Sequence, residues 1–188
     1  YSKSVHNHVM PGGYHAELNN DDVSAGAAYD HSIHIYMMGG MGAYNDSVGE
    51  MLSAYIEWKY PNLKPKNILD IGCSVGHSTL PYTDRFPDAE IHAIDLSAPL
   101  VRYGFARAES LDKAIHFSQQ NAECTDFEDS SFDLIVSHIM LHETSFSAIK
   151  NIMKEGRRLL RPGGVMAHLE MLPFSKKTIL QQYLTDWD

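Results

Sequence analysis

Three groups of residues in this chain have types and spacings that can do chemistry. The first is Asp70-x-Gly72-x-x-x-Gly76, which follows the apolar, β-branched run Ile68, Leu69 and Ile71. A buried strand that turns sharply on glycine into a helix places backbone N–H groups at the carboxyl edge of a sheet, where an anionic group of a ligand can be held. The second is Asp95, 19 residues beyond Gly76, at the end of the apolar run that begins at Ile91. A carboxylate there can accept hydrogen bonds from both hydroxyls of a ribose and disfavours a 2′-phosphate. The third is Ser137-His138-Ile139-Met140-Leu141-His142-Glu143. Imidazoles that titrate near neutrality are candidate general bases, and Glu143 is a second proton acceptor beside them. His138, His142 and Glu143 do not form H-E-x-x-H and lack an evident third ligand, so no metal site is expected. Cys73 lies inside the glycine turn without a base fixed beside it, and Cys124 is remote from it, which fits two reduced thiols in a cytoplasmic setting.

These residues need a scaffold, and the apolar periodicity supplies one. Strands are expected at 68–71, 91–95, 115–118, 132–137 and 165–169. Helices are expected at 77–86, where Pro81 delays the start, after the Ser97 cap with Pro99 in the first turn, and at 144–160. Arg161-Pro-Gly-Gly164 reads as a stop and turn, and 126–131 as a solvated acidic loop. Strands alternating with helices mean an α/β, doubly wound, mostly parallel sheet with helices on both faces. Before it, Val48, Met51, Leu52, Tyr55 and Ile56 mark an amphipathic helix capped by Asp46 or Ser47. Residues 1–44 form a separate N-terminal segment. In it 27–38 is a short helix carrying His31 and His34 on one face, and Gly39, Gly40 and Gly42 give it the joint that a flap over a ligand needs. His6, His8 and His15 belong to a solvated stretch with no fixed geometry.

Composition narrows the function. The chain has 188 residues, 44% of them hydrophobic, enough for one domain with a real core. A net charge of -9 argues against a duplex nucleic-acid partner, which a basic face would have to meet. No apolar run reaches the roughly 20 residues of a membrane span, and no secretory signal opens the chain.

A dinucleotide turn wants G-x-G-x-x-G, but the second and third glycine positions hold Ser74 and His77. A nicotinamide-dependent oxidoreductase is therefore disfavoured, and an adenosine-type nucleoside without pyrophosphate fits better. At this point residues 45–188 resemble the class I S-adenosylmethionine-dependent methyltransferases. Four segments in the family's order carry the resemblance: Ile68-Leu-Asp-Ile-Gly-Cys-Ser-Val-Gly76, Ile91-His-Ala-Ile-Asp95-Leu-Ser, Asn121-Ala-Glu with Phe132-Asp-Leu-Ile-Val-Ser-His138, and Leu159-Leu-Arg-Pro-Gly-Gly-Val165. The resemblance implies S-adenosyl-L-methionine as cofactor. By it, Asp70 orders the turn formed by Gly72, Cys73, Ser74 and Gly76. Amides of that turn face the cofactor's carboxylate, Asp95 and Leu96 hold the ribose side, and Asn121 and Ala122 meet the adenine. His138 lines the cofactor. Ser74 stands where the family often has glycine, and Asn121 where it usually has Asp, so the amide oxygen accepts without charge.

The same resemblance puts the methyl acceptor past the fourth strand, with His142 and Glu143 as catalytic candidates. Ser137-His138-Ile139-Met140 does not match the Asn/Asp-Pro-Pro-aromatic run of exocyclic-amine methylators. This favours a small-molecule O, N or C acceptor over a nucleic acid, and the Leu-His-Glu run is similar to that of small-molecule methylators, including those of quinone biosynthesis. The alternative is a non-catalytic S-adenosylmethionine-binding or regulatory module. The family's full fold adds strands after the fifth, whereas only an amphipathic helix at 178–187 follows here. The expectation is that the natural protein continues beyond Asp188, or that a partner covers the fifth strand's edge.

Overall fold

A computed structural model describes residues 13–171. Alternation of helix and strand builds α1 (Ser24–Tyr36), α2 (Ser47–Lys59), β1 (Asn67–Ile71), α3 (Leu80–Arg85), β2 (Glu90–Asp95), α4 (Ala98–Ser110), β3 (His116–Gln119), β4 (Phe132–His138), α5 (Phe146–Leu159) and β5 (Leu160–Leu169). Among the described residues the strands form one parallel sheet in the order β3-β2-β1-β4-β5. The strand order reverses at β1, with β2 on one side and β4 on the other. That opens a crevice above the carboxyl ends of β1 and β4, where ligands of such sheets bind.

Burial follows the pattern that a sheet covered on both faces demands. Ile68, Leu134 and Val136 join one cluster with Leu52, Ile56 and Tyr82; Leu69, Ile71 and Ile135 join another with Ile152 and Leu159. The expected helix at 77–86 begins only at Leu80, with Pro81 in its first turn, and Ser145 caps α5 by accepting from the Ala148 amide.

Three expectations change. The Arg161–Gly164 turn is absorbed into β5: Phe132 pairs Leu160 and Leu134 pairs Val165, so the extra residues form a bulge with Gly163 at φ +85°. Neither Asp46 nor Ser97 caps its helix through the side chain; the Ser97 hydroxyl donates to the Tyr14 carbonyl instead. His142 lies in a single 3-10 turn, Leu141–Glu143. His6, His8 and the helix expected at 178–187 lie outside the described residues. Within them β5 is an edge strand, and no helix is long and apolar enough to cross a membrane.

The first helix docks on the sheet unit instead of standing apart. Gly26 permits it: a Cβ there would sit 2.3 Å from Tyr103 Cβ on α4. Asp30 then ties α1 down. It accepts from the Tyr103 hydroxyl (2.8 Å) and meets His77 Nε2 (2.5 Å) and Arg107 Nε (3.5 Å), while Asn45 Nδ2 donates to its carbonyl (3.2 Å). His77, Tyr103 and Arg107 hold the Asp30 carboxyl below its usual range against the opposing effect of burial.

Candidate functional site

The glycine turn is shaped by its backbone. Gly72 and Gly76 have φ +70° and +78°, and a Cβ on Gly72 would fall 2.3 Å from Met140 Cγ. Ser74 also adopts a left-handed φ of +53°, so the serine keeps the conformation that glycine would have taken there. The turn's amides are used differently from expectation. The Gly72 and Cys73 N–H groups both donate to the Ile94 carbonyl, at 2.8 and 3.0 Å. The Gly76 N–H donates to the Cys73 carbonyl, and the Ser74 N–H to Asp95 Oδ2 at 2.9 Å. The turn folds over the end of β2, so these four donors are engaged inside the protein and do not face a ligand's carboxylate.

Asp95 ends β2 at the sheet's carboxyl edge. Its Oδ2 accepts from Ser74 and its Oδ1 from the Ser97 amide (2.8 Å), which fixes the carboxylate and leaves further acceptor capacity on each oxygen. Burial raises its pKa, partly offset by those two amides. Beside it the Leu96 carbonyl takes Gln119 Nε2, and Gln120 N–H donates to the Asp95 carbonyl. Asn121 spends its side-chain oxygen on the Glu123 amide (2.9 Å), closing a local turn, and Ala122 packs on the core. Both stay at the carboxyl edge near β3, on the side expected for a base. Burial, with Asp95 and Asp70 nearby, pushes the Cys73 thiol well up, which makes it inert as a nucleophile.

His138 is placed elsewhere than expected. Its ring is buried beneath the edge: Nε2 meets the Tyr82 hydroxyl at 3.1 Å, and Nδ1 lies 3.3 Å from Asp70 Oδ1. Asp70 in turn accepts from the Thr79 hydroxyl at 2.6 Å. The Asp70 and His138 side chains thus meet between the ends of β1 and β4, with neither Asp70 Oδ1 nor His138 Nδ1 in a hydrogen bond among the described residues. The reason is register. Leu69 pairs Ile135 and Asp70 pairs Val136, which brings both strand ends to the same level above a core that contains Tyr82.

His142 and Glu143 are brought together, with a residue that sequence reasoning missed. His142 Nε2 is 3.3 Å from Glu143 Oε1, and Nδ1 is 3.1 Å from Glu170 Oε2. These two carboxylates raise the imidazole's pKa to about 9. The histidine is therefore a cation at neutral pH, not the base its ordinary pKa suggests. Glu170 also accepts the amides of Met140 (2.9 Å) and Leu141 (2.6 Å). Its position just past a strand end, at the carboxyl edge, is the signal that could have found it.

Tyr14 and Tyr29 were also missed as site residues. They stand edge to face with ring centroids 5.5 Å apart, within electrostatic reach of both Asp95 and Glu143. Burial pushes both phenols upward, so they remain neutral. Tyr29 stacks on His77 at 6.0 Å. His31 and His34 do not reach this crevice; with Asp30, Asn45 and Tyr103 they line a separate cleft of about 270 Å³. Among the described residues no cluster of metal-ligating side chains forms.

Comparison with known proteins identifies the family of this fold. A family model described as a methyltransferase domain matches residues 68–164. A highly reducing polyketide synthase of Penicillium polonicum is 31% identical over 136 residues, covering 68% of this chain and 5% of that protein. The ubiquinone/menaquinone biosynthesis C-methyltransferase UbiE of Dinoroseobacter shibae is 29% identical over 119 residues, 62% of this chain and 46% of that one. The chain spans less than half the length of these relatives. In fold it is similar to a putative S-adenosylmethionine-dependent methyltransferase of Methanococcus maripaludis, with a TM-score of 0.65 at 17% identity over 81% of this chain and 65% of that one. The family match takes in the glycine turn, Asp95, the fourth strand and the turn into the fifth, over more than half of the sequence, and the chain belongs to the class I S-adenosylmethionine-dependent methyltransferase family.

Proposed function

We propose that the chain catalyses S-adenosylmethionine-dependent methyl transfer to a small-molecule O, N or C acceptor. The observation that carries this is the fate of the glycine-turn amides. A dinucleotide site points such donors at a pyrophosphate. Here Gly72, Cys73, Ser74 and Gly76 spend theirs on Ile94, Asp95 and Cys73, so the turn offers close approach without phosphate donors. A nucleoside with a ribose and no phosphate fits that edge.

Asp95 accepts from the ribose hydroxyls, with Leu96, Asn121 and Ala122 on the adenine side. Tyr14 and Tyr29, within electrostatic reach of Asp95 and Glu143, support reading the described part of the N-terminal segment as a lid that excludes water from the domain of 45–188. When bound, S-adenosylmethionine supplies an electrophilic methyl group on a good leaving group. The protein's part is alignment, dryness and, for an acceptor that must shed a proton, a nearby carboxylate. Glu143 is that carboxylate, since His142 is already protonated at neutral pH. The quinone C-methyltransferase and polyketide synthase among the relatives support a small-molecule acceptor. The acidic balance supports an acceptor other than nucleic acid, and the two free thiols support a reducing, cytoplasmic setting.

Titration calorimetry with S-adenosylmethionine, its demethylated thioether and NAD tests the reading. Heat from the first two and none from NAD is expected. Transfer of labelled methyl to a panel of quinol, amine and β-keto thioester acceptors then separates an enzyme from a binding module, which would bind and never turn over. No heat from either nucleoside would overturn the proposal.

A further inference from the structure

The acceptor side of the crevice is organised by a residue outside the motifs. Glu170, just beyond β5, reaches across the end of β4 and makes three contacts within one turn. Oε1 accepts from the Met140 and Leu141 amides at 2.9 and 2.6 Å, and Oε2 lies 3.1 Å from His142 Nδ1. Met140 in turn fills the space over Gly72 that a Cβ would occupy. One carboxylate thus fixes the His142 ring and the side chain that abuts the glycine turn. The other ring nitrogen points at Glu143, 3.3 Å away.

We propose, on the methyltransferase reading above, that Glu170 is the positioning residue of the acceptor edge: it locks residues 140–142 and holds the His142 ring between two carboxylates, so that the ring in turn places the Glu143 carboxylate toward the acceptor. A ring that gives its Nδ1–H to Glu170 keeps a proton on Nε2 only while Glu143 lies opposite, and here both nitrogens face carboxylates. Other groups bear on the arrangement less directly. Tyr14 lies within electrostatic reach of Glu143, and His168 of β5 within reach of Glu170. The upward shift of His142 and the downward shift of Glu170, where hydrogen bonds from His142 and Leu141 outweigh burial, agree with a charged pair. The acceptor class that matches a carboxylate placed in this way carries a proton that must leave on or next to the nucleophilic atom, as in an enol, a phenol or an amide.

The test is the titration of His142 in the 188-residue chain, followed by imidazole NMR and assigned by the resonance lost in His142→Asn. A midpoint near 9 is expected in the unaltered chain, together with slow amide exchange at Met140 and Leu141. Glu170→Gln keeps the size and the backbone-accepting oxygen but turns an amide toward Nδ1. It should lower the midpoint by at least about one pH unit and move the neutral ring to the Nε2–H tautomer. Glu170→Asp keeps the charge but loses reach and should fall between. An unaltered midpoint in the ordinary range around 6.5, fast exchange at both amides, or a folded Glu170→Gln protein whose midpoint does not move would each overturn the proposal. Calorimetry with S-adenosylmethionine, run on the same samples, keeps the two readings apart. Absent heat with a normal His142 titration removes the methyltransferase reading alone, and normal heat with an ordinary titration removes the role of Glu170 alone.

Discussion

The two sides of the crevice are built by different means. On the β1–β2 side the contacts are shorter in sequence: the Thr79 hydroxyl reaches Asp70 across 9 positions, and the Ser74 amide reaches Asp95 across 21 from a turn that Gly72 and Gly76 shape. On the β4–β5 side they are side-chain pairs over longer spans, His142 with Glu170 at 28 and Ser137 with His168 at 31. The first side offers one kind of ligand a fixed backbone. The second is assembled from side chains, and it meets the turn where Met140 packs over Gly72.

The comparison can be broken first at the turn. Gly72→Ala forces a side chain into φ +70° and against Met140 Cγ at 2.3 Å. The left-handed backbone and the overlap together should cost about 2–4 kcal/mol of stability in urea unfolding. A loss under about 1 kcal/mol would mean that the turn is not rigid. Next comes Asp95→Ala, which removes the acceptor for the ribose. S-adenosylmethionine affinity should fall about 10- to 100-fold by calorimetry, the value of hydrogen bonds to a charged group. Unchanged affinity would remove Asp95 from the site.

This asymmetry also decides what was legible in the sequence. The glycine spacing, the acid after β2 and the five strands all follow from local pattern, because periodicity and turn chemistry act over a few residues. The use of the turn's amides was not legible: that Gly72 and Cys73 donate to Ile94 depends on how closely β1 and β2 pack. The family resemblance places His138 along the cofactor, and the sequence holds no local signal that the pairing of β1 with β4 sets its ring against Asp70 and Tyr82. Glu170 and Tyr14 were missed for the opposite reason: each acts on residues far off in sequence, and nothing next to them announces it.

Rising pH should weaken both sides, each in its own window. His142, raised to about 9 by Glu143 and Glu170, contributes stability that is whole below its ordinary value near 6.5 and is lost as pH rises through 9. Unfolding free energy should therefore drop by on the order of 1–2 kcal/mol between neutral pH and about pH 10, and by less in Glu170→Gln. Asp95 has the same sign in a more acidic window. Burial raises its folded pKa, so the native state binds its proton more tightly than the unfolded chain does, and its own contribution improves as pH falls below neutrality. Asp95→Asn should flatten that acid-side gain and leave the alkaline loss in place. If the substitution changes the alkaline limb, the two sides are coupled.

The smallest effect is the sharpest test of separability. Glu143→Gln removes one charge from the acceptor side and keeps its shape. Its carboxylate is about a quarter exposed and lies 3.3 Å from His142, so its pull on a cationic ligand is partly screened by solvent and offset by the imidazolium. S-adenosylmethionine affinity should weaken no more than about threefold, within what a half-screened ion pair is worth. Methyl transfer to any acceptor that must lose a proton should fall far more, because a neutral amide cannot accept that proton. A tenfold loss of cofactor affinity with turnover preserved would invert the assignment: Glu143 would then belong to the cofactor's cation, and the two sides of the crevice would share one function.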